Sequence, residues 1–327
     1  MIAMFSLEEL RRAHEVVLEA LRPTPAISWP LLRERLGAEV VVKHENCQPT
    51  GAFKVRGGLT YVDALMRHEP DAKGLISATR GNHGQSLAFA GRRFGLAVTI
   101  VVPHGNSREK NAAMRALGSE LIEHGQDFQA AREEAMRLAK TRGLHAVPAF
   151  HRDLALGVAT YALELMSDHP DLDALYVPIG QGSGICGCIA ARDALGVKTE
   201  IVGVQASAAP AYALSFAAGH VVRTNSADTL ADGMATRVPD EEALEVIARG
   251  AARVVLVDDD EIASAIRAYW TDAHHLAEGA GAAGLAAAMK ERSRLKGRKI
   301  GLVLSGGNID FDLFQRWAAA RVSAAAA

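Results

Sequence analysis

The chain alternates short apolar runs with longer amphipathic stretches along almost its whole length. The apolar runs are rich in β-branched residues, which is typical of strands buried inside a sheet. We predict strands at residues 40–43, 75–78, 98–102, 175–177, 201–204, 254–257 and 300–304. Alternating strands and helices predict an α/β fold with open, mostly parallel sheets that carry helices on both faces.

The amphipathic stretches between the strands predict helices. Ser6 and Glu9 form a capping-box pattern, in which each residue satisfies the other's backbone N–H, so we expect a helix over residues 6–21. Residues 128–142 predict another helix, and a third is expected to begin at about Ser86. The alanine-rich tail after Arg321 is expected to be a frayed helix or disordered.

The composition limits the classes of binding partner and the cellular location that we expect for this protein. The chain has 327 residues, of which 49% are apolar, and a net charge of −2, which favours neither nucleic acid nor an anionic membrane as a partner. It begins without the basic segment and long apolar run of a signal peptide, and no stretch reaches the apolar length of a membrane span. Cys47, Cys186 and Cys188 are too few for a disulfide framework. We expect reduced thiols and a cytoplasmic protein.

One lysine, Lys54, follows the first predicted strand in a polar turn, directly after the aromatic Phe53. By default a lysine is a solvated surface charge. When it is partly desolvated, its amine loses its proton and can form a Schiff base with a carbonyl group. A catalytic role for Lys54 therefore requires that the chain also supply a site for a carbonyl cofactor.

Turns with the character of ligand-binding sites follow three more predicted strands, where open α/β sheets bind ligands. Residues 79–85 combine a hydroxyl with the N–H groups of a helix start, which suits a carboxylate. Residues 178–187 are rich in glycine, so their N–H groups can converge on a phosphate, and residues 305–308 add a serine hydroxyl. Each turn alone is more often structural. Together with the amine of Lys54, the three turns suit pyridoxal phosphate.

Several motifs along residues 21–308 occur in the order that is familiar from one group of enzymes. They are Arg22-Pro23-Thr24-Pro25, residues 45–57 around Lys54, Gly81-Asn82-His83, Ala231-Asp232-Gly233, Glu278-Gly279-Ala280-Gly281-Ala282 and Ser305-Gly306-Gly307-Asn308. The chain resembles the fold-type II pyridoxal-phosphate enzymes of the threonine and serine dehydratase and serine racemase group. The Lys-x-Arg-Gly form at Lys54 favours the dehydratase branch over the sister enzymes that make cysteine.

The resemblance implies a role for each candidate site residue. Lys54 is expected to hold the cofactor and then to remove the α-proton of the substrate. The expected cofactor contacts are Phe53 against the pyridine ring, Asn82 at the ring hydroxyl, Ser305 at the ring nitrogen, and Gly180, Gln181, Gly182, Ser183, Gly184 and Ile185 around the phosphate. The expected substrate contacts are Thr79, Arg80, Gly81, Asn82 and His83. A neutral serine leaves the ring nitrogen largely unprotonated, which favours prompt loss of a β-hydroxyl group.

Departures from the family pattern modify this picture. Arg80 occupies the position at which serine racemases carry a serine base, and an arginine cannot accept a proton near neutral pH. It either contacts the substrate or faces solvent, and the sequence favours neither. Residues 203–211 contain no carboxylate where the family binds a cation, so we expect no metal there. His274 and His275 are interpreted as a solvated pair or as a pair at a helix end.

The sequence therefore predicts an ammonia-lyase that removes the β-hydroxyl group of L-threonine or L-serine and releases a 2-oxo acid. The same reaction on hydroxyaspartate or an aryl-serine is one alternative. The others are a racemase, a β-replacement synthase and a cofactor-binding protein without catalysis. The resemblance implies two open, twisted, mostly parallel sheets flanked by helices, with a large domain of residues 1–50 and 149–327. Residues 51–148 would form a smaller domain that closes over the substrate. It also implies a homodimer, and we expect no appended regulatory domain after the last motif.

Overall fold

The structure is a computed structural model that describes residues 4–319. Its strands are β1 (Ala26–Ile27), β2 (Glu39–His44), β3 (Leu75–Ala78), β4 (Val98–Val102), β5 (Glu120–Glu123), β6 (His145–Ala146), β7 (Ala174–Pro178), β8 (Glu200–Ala206), β9 (Ala251–Val257) and β10 (Lys299–Leu304). Its α-helices are α1 (Leu7–Leu18), α2 (Pro30–Leu36), α3 (Lys54–His68), α4 (Asn82–Phe94), α5 (Arg108–Ala116), α6 (Phe128–Arg142), α7 (Arg152–Asp168), α8 (Ser183–Leu195), α9 (Ala211–Ala218), α10 (Glu241–Gly250), α11 (Asp259–Ala273), α12 (Gly279–Lys290) and α13 (Phe311–Ala319).

The strands form two sheets, and the predicted α/β class is confirmed. The larger sheet has the order β1-β2-β10-β7-β8-β9, in which only β1 runs antiparallel to its neighbour. The smaller sheet has the order β5-β4-β3-β6 and is parallel throughout. Among the described residues, no helix combines the length and the apolarity that crossing a bilayer requires.

Both faces of the larger sheet are buried, which explains why its strands read as continuous apolar runs. Along β2, Val40 and Val42 pack into the cluster that contains α11 and α12, whereas Val41 packs on the opposite face with α7 and α8. Successive side chains of a strand point to opposite faces, so each face receives alternate residues. Helices therefore cover both faces of this sheet.

Most predicted elements are present, with informative exceptions. All of the predicted strands form, whereas β1, β5 and β6 were not predicted, because β1 and β6 are only two residues long and both ends of β5 are exposed. The capping box of Ser6 and Glu9 is formed, and α1 ends at Leu18, ahead of Pro23. The expected start at about Ser86 is wrong, since α4 begins at Asn82. The sequence did not indicate the first turn of α4 because Asn, His and Gly, which form it, are weak helix formers. The expectation for the tail after Arg321 lies outside the described residues.

The smaller sheet is built entirely from strands within residues 51–148, the segment expected to form the smaller domain. Side chains of this segment also bond the larger part of the chain. Ser107 donates a hydrogen bond to Asp310, and Arg108 forms an ion pair with Asp312. We propose that residues 51–148 move as one unit against the rest of the chain, with these bonds holding the closed arrangement.

Candidate active site

A cleft opens where β2, β3, β7 and β10 end, and it gathers nearly all of the predicted site residues. Those that line it are Phe53, Lys54, Thr79, Arg80, Gly81, Asn82, His83, Gly180, Gln181, Gly182, Ser183, Gly184 and Ser305. The carboxyl ends of β2 and β10 are adjacent, since Leu304 pairs with His44. Behind them, Ala52 bridges to Gly306, and the Phe53 N–H donates to the Ser305 carbonyl (3.0 Å). The backbone thus joins the lysine turn to the serine turn.

Lys54 is the first residue of α3, and its amine lies inside the cleft. Its Nζ donates a hydrogen bond to the hydroxyl of Ser183 (2.8 Å) and lies 5.1 Å from the centre of the Phe53 ring. Burial lowers the pKa of the Lys54 amine to about 8, because the protein atoms around it keep water from solvating the charge. At pH 7 about a tenth of this amine is therefore uncharged and nucleophilic, far more than for an ordinary lysine.

The glycine-rich turn after β7 leads directly into α8. A Cβ on Gly180 would lie 2.2 Å from the Gly233 carbonyl oxygen, and Gly182 has a φ of +101°, so both positions require glycine. The first hydrogen bond of α8 runs from the Cys186 N–H to the Gly182 carbonyl (3.0 Å). The N–H groups of residues 183–185 precede this bond at the helix start, the usual position for an anion.

Ile185 differs from its neighbours in this turn. Its side chain is fully buried in the apolar cluster beneath the turn and does not line the cleft. Of the six turn residues predicted to contact a cofactor, Ile185 can therefore contribute only its backbone N–H. Its apolar side chain anchors the start of α8 to the core, so that the N–H groups of the turn are held in place.

The turn between β3 and α4 forms another wall of the cleft. The Thr79 hydroxyl accepts a hydrogen bond from the Gly81 N–H (3.0 Å), which fixes the turn. Arg80 is exposed at the mouth of the cleft and forms no ion pair with any residue of 4–319. The Nε2 atom of His83 is buried and finds no hydrogen-bond partner within residues 4–319. Burial and the charge of Lys54 lower the pKa of His83 to about 3, so this ring is neutral.

A network of polar side chains crosses the cleft around Asn82. The Asn82 amide group donates to Glu278 (2.7 Å), and its oxygen accepts from Asn308 (2.9 Å). Lys110 donates to Asp232 (2.6 Å) and lies 3.3 Å from Glu278. The sequence motifs contained Asp232, Glu278 and Asn308 without giving them a role. Nothing in the sequence marked Lys110, because its partners are far away along the chain.

A buried group of charges lies directly behind the lysine. Arg56 is fully buried and makes paired hydrogen bonds with Glu45 (2.8 and 2.9 Å) and with Glu164 (2.7 and 3.0 Å). Thr24 also donates to Glu45 (2.5 Å), and Lys43 donates to Glu164 (2.5 Å). The motif residues Thr24, Glu45 and Arg56 are therefore parts of one ion-pair cluster that supports the start of α3.

Two regions considered for metal binding differ from each other. At the family's cation segment, the Gln205 side chain is buried and its oxygen accepts a hydrogen bond from the Ala213 N–H (2.9 Å), so it ties β8 to α9. His274 is exposed and ends α11 in a left-handed conformation, which agrees with the helix-end interpretation. His275 also lies at the end of α11, where its N–H donates to the Tyr269 carbonyl (3.1 Å), so the helix-end alternative agrees with the structure and the solvated alternative does not hold for His275. It is half-buried, and its ring centre lies 4.2 Å from that of His44, because the chain turns inward after His274.

Comparison with known proteins supports the family resemblance. Residues 17–306 match the family described as pyridoxal-phosphate dependent enzyme. The chain is 34% identical to an L-threonine ammonia-lyase of Thermotoga maritima, over 96% of this chain and 78% of that protein. It is 32% identical to an L-threo-3-hydroxyaspartate ammonia-lyase of Saccharomyces cerevisiae, over 90% of each. The structure of maize serine racemase superimposes with a TM-score of 0.89 at 26% identity, covering 95% of this chain and 96% of that one. The chain therefore belongs to the fold-type II pyridoxal-phosphate dependent enzymes of the threonine dehydratase and serine racemase group.

Proposed function

We propose that this enzyme removes the β-hydroxyl group of a β-hydroxy-α-amino acid and releases a 2-oxo acid and ammonia. L-Threonine and L-serine are the first candidates for the substrate. The observation that carries the proposal is the half-buried amine of Lys54, whose pKa is lowered to about 8, in one cleft with an anion-binding helix start. The relatives named as ammonia-lyases support the same reaction class.

The residues of the cleft fit pyridoxal phosphate. The start of α8 presents N–H groups to an anion, Lys54 supplies the amine, and the buried Nε2 of His83 has no partner in the part of the chain that the structure describes. When it is bound, the cofactor withdraws electrons from the α-carbon of an amino acid and so makes the α-proton acidic. We propose that residues 180–185 hold its phosphate, that Phe53 packs beside its ring, and that Asn82 and Ser305 bond its ring substituents.

The chain's own residues would then perform binding and proton transfer. Thr79 and the N–H groups of Gly81, Asn82 and His83 would hold the substrate carboxylate at the start of α4, where the helix dipole favours an anion. The amine of Lys54 would take the proton from the α-carbon, since its lowered pKa matches a base that works near neutral pH. Ser183 would orient this amine through the hydrogen bond that it already accepts.

A racemase is the second candidate, because the fold of maize serine racemase matches this chain closely. Racemisation requires a proton donor or acceptor on each side of the α-carbon. Arg80 occupies the position of the second base in serine racemases, and a guanidinium cannot take up a proton near neutral pH. The residue at position 80 therefore favours elimination over racemisation.

The test is to incubate the holoenzyme with a panel of L-β-hydroxy amino acids, including hydroxyaspartate and an aryl-serine. The 2-oxo acid and the enantiomers of the remaining amino acid are measured in the same samples. Elimination predicts a 2-oxo acid and ammonia in equal amounts. A D-amino acid without 2-oxo acid would establish the racemase instead, and a product that forms only with an added thiol or amine would establish a β-replacement synthase.

We expect Arg80 to contact the side chain of an anionic substrate. It is exposed at the mouth of the cleft and forms no ion pair with the described residues, so its guanidinium group can bind the second carboxylate of hydroxyaspartate. A charge-assisted hydrogen bond is worth about 1.5–3 kcal/mol, so Arg80→Ala should lower kcat/KM for hydroxyaspartate by roughly 10- to 100-fold. For L-threonine, kcat/KM should change little. Arg132→Ala, an exposed arginine of α6, is the control. Equal kinetics of Arg80→Ala and wild type on both substrates would place Arg80 in solvent.

The uptake of pyridoxal phosphate by the apoprotein should depend on the proton of Lys54. Only the uncharged amine can bond the cofactor's carbonyl carbon, and its pKa is about 8. Below pH 8 the uptake rate should therefore rise about tenfold per pH unit, and above it the rate should level off. The measurement is the growth of the visible absorbance of the bound cofactor. The reference is free Nα-acetyl-lysine, whose side-chain amine has the ordinary pKa, so its reaction rate should keep rising to about pH 10. If the uptake rate of the apoprotein rose in the same way, the lowered pKa of Lys54 would be contradicted.

The homodimer and the cytoplasmic location also stay proposals. Both come from the family resemblance and from a sequence without an export signal. The proposed reaction depends on neither, because every residue to which a role is given belongs to one chain.

A further inference from the structure

Three potential metal ligands meet outside the active-site cleft. His44 ends β2, Cys47 ends the short 3-10 helix that follows it, and His275 lies in the segment between α11 and α12. One ligand atom from each of them lies within 4.8 Å of the other two. The His-x-x-Cys spacing comes from a tight turn, and the third ligand comes from a distant part of the chain. Such a combination of a close pair and a remote ligand is common in zinc sites.

The two histidines are held in place before any ligand binds. Their ring centres are 4.2 Å apart, and the Trp29 ring packs edge-on against both, at 5.8 Å from His44 and 5.6 Å from His275. The His44 side chain is fully buried, yet its Nδ1 has no hydrogen-bond partner among the described residues. A buried nitrogen without a partner is costly to a fold, and it points here to a missing ligand.

The ligand types suit a borderline-soft metal ion. Two imidazole rings and one thiol offer nitrogen and sulfur atoms, which zinc prefers to bind. The proton of the Cys47 thiol would leave when the metal binds, because a thiol ligates as its thiolate. This thiol is exposed, so an ion can reach it from solvent.

We propose that His44, Cys47 and His275 form a binding site for a borderline-soft divalent metal ion, best represented by Zn²⁺, with a fourth position open to solvent. Nitrogen and thiolate ligands exclude Mg²⁺ and Ca²⁺, which prefer oxygen. Ligand atoms around a tetrahedral zinc lie roughly 3.3–3.6 Å apart, and these three atoms lie within 4.8 Å of one another, so they must close in by no more than about 1.5 Å. The exposed Cys47 side chain and the segment of His275 provide this movement.

The ion would compete with hydrogen bonds that its ligands already form, and these include long contacts of Asn46 with the His275 Nδ1 (3.4 Å) and with the Cys47 thiol (3.9 Å). The Trp29 indole N–H donates to the His44 Nε2 (3.0 Å). If the ion binds Nδ1, the proton of the ring moves to Nε2, and if it binds Nε2, the lone pair is taken. In either case the indole loses its acceptor and must turn toward water, which Trp29 can do because it is only half-buried. Metal binding should therefore change the fluorescence of Trp29.

The site lies at the back of the segments that carry the catalytic groups. It would connect the turn that leads to Lys54 with the segment that leads to Glu278. Both segments contact the serine turn: a Cβ on Gly307 would meet the Leu276 carbonyl oxygen at 2.9 Å and the Asn46 side chain at 3.5 Å. An ion held here would fasten two walls of the cleft together without occupying the cleft.

The experiment is a titration of the holoenzyme with Co²⁺, followed by Zn²⁺. We expect visible bands of tetrahedral Co²⁺, a near-ultraviolet thiolate-to-metal band, and loss of both when Zn²⁺ displaces Co²⁺. Cys47→Ser should remove the thiolate band, and Cys47→Ser and His275→Ala should each weaken Co²⁺ binding by at least about tenfold. His274→Asn, which alters the neighbouring exposed histidine and tolerates the same backbone conformation, should bind Co²⁺ like the wild type.

These signals are independent of turnover, so they separate the metal site from the proposed reaction. The other two thiols, Cys186 and Cys188, are buried and cannot produce the thiolate band. If Cys47→Ser and the wild type bound Co²⁺ with the same spectrum and affinity, the proposal would be wrong. It would also be wrong if Co²⁺ left both the thiolate region and the Trp29 fluorescence of the wild type unchanged.

Discussion

Replacing Lys54 with glutamine should abolish turnover and the visible absorbance of the bound cofactor while leaving the fold intact. Glutamine keeps most of the side-chain length and can still bond Ser183, but it has no amine to bond a carbonyl or to remove a proton. Loss of both functions should lower kcat by at least about a thousandfold. The measurements are the absorption spectrum after pyridoxal phosphate is added and the rate of 2-oxo acid formation.

The control for this variant is Lys198→Gln, which changes an exposed lysine outside the cleft. It should match the wild type in spectrum, activity and stability. A small primary amine added to Lys54→Gln should restore part of the activity if proton removal is the missing step, because the free amine can enter the space near Ser183. Wild-type turnover by Lys54→Gln would contradict the assignment of the base and with it the proposed mechanism.

The elements that position Lys54 could be predicted because each has a strong local signal. β3 and β4 occupy the predicted residues, since both are short runs that are buried at every position, and every residue of β4 is β-branched. The glycines of the turn after β7 are required by a positive φ at Gly182 and by the close approach of Gly180 to Gly233. Strand ends followed by such turns mark the edge of a parallel sheet, so the sequence was sufficient to group the turns into one site.

The interactions across the cleft could not be predicted, because they depend on how distant segments meet. Lys110 lies on α5 in a polar stretch without a motif, yet it forms ion pairs with Asp232 and Glu278. The two histidines of the proposed metal site are 231 positions apart in sequence, with His44 in an apolar strand and His275 after a helix. No local sequence pattern predicts such a contact. Only the packing of α12 beside β10 and β2 brings these residues together.

Replacing Arg56 with leucine should strongly destabilise the protein, although it leaves the side-chain volume nearly unchanged. Arg56 is fully buried, and its guanidinium group is the common partner of Glu45 and Glu164. Its removal leaves two buried carboxylates with too little positive charge, since Glu45 loses its ion pair and Glu164 keeps only Lys43 and the His14 ring as partners. Breaking one side of a buried ion pair costs about 3–5 kcal/mol, and we expect a loss in that range for the free energy of unfolding.

The loss of unfolding free energy in Arg56→Leu should depend on pH, and the direction of this dependence identifies uncompensated charge as the cause. In the wild type, burial favours protonation of Glu164, but hydrogen bonds from His14 and Arg56 and the nearby charges hold its pKa below the usual value. This group therefore stabilises the fold above the ordinary pKa of a glutamate, and the contribution is lost as the pH falls. In Arg56→Leu, the bonds and the charge of Arg56 are gone, and only the bond from His14 and the charge of Lys43 oppose burial, so the pKa of Glu164 should rise. Glu164 should then take up a proton more readily as the pH falls from 8 to 5, which relieves part of the buried charge.

The measurement is urea unfolding of the holoenzyme at pH 8 and at pH 5, with wild type and variant compared at each pH. We expect the difference in unfolding free energy to be larger at pH 8 than at pH 5. The control is Arg33→Leu, which replaces an exposed arginine that lies 4.0 Å from the carboxylate of Glu39. This control should change the free energy of unfolding by less than about 0.5 kcal/mol at both pH values. If Arg56→Leu lost the same free energy at both pH values, packing rather than uncompensated charge would explain the loss. The ion-pair cluster would then be a by-product of the fold and not a support for Lys54.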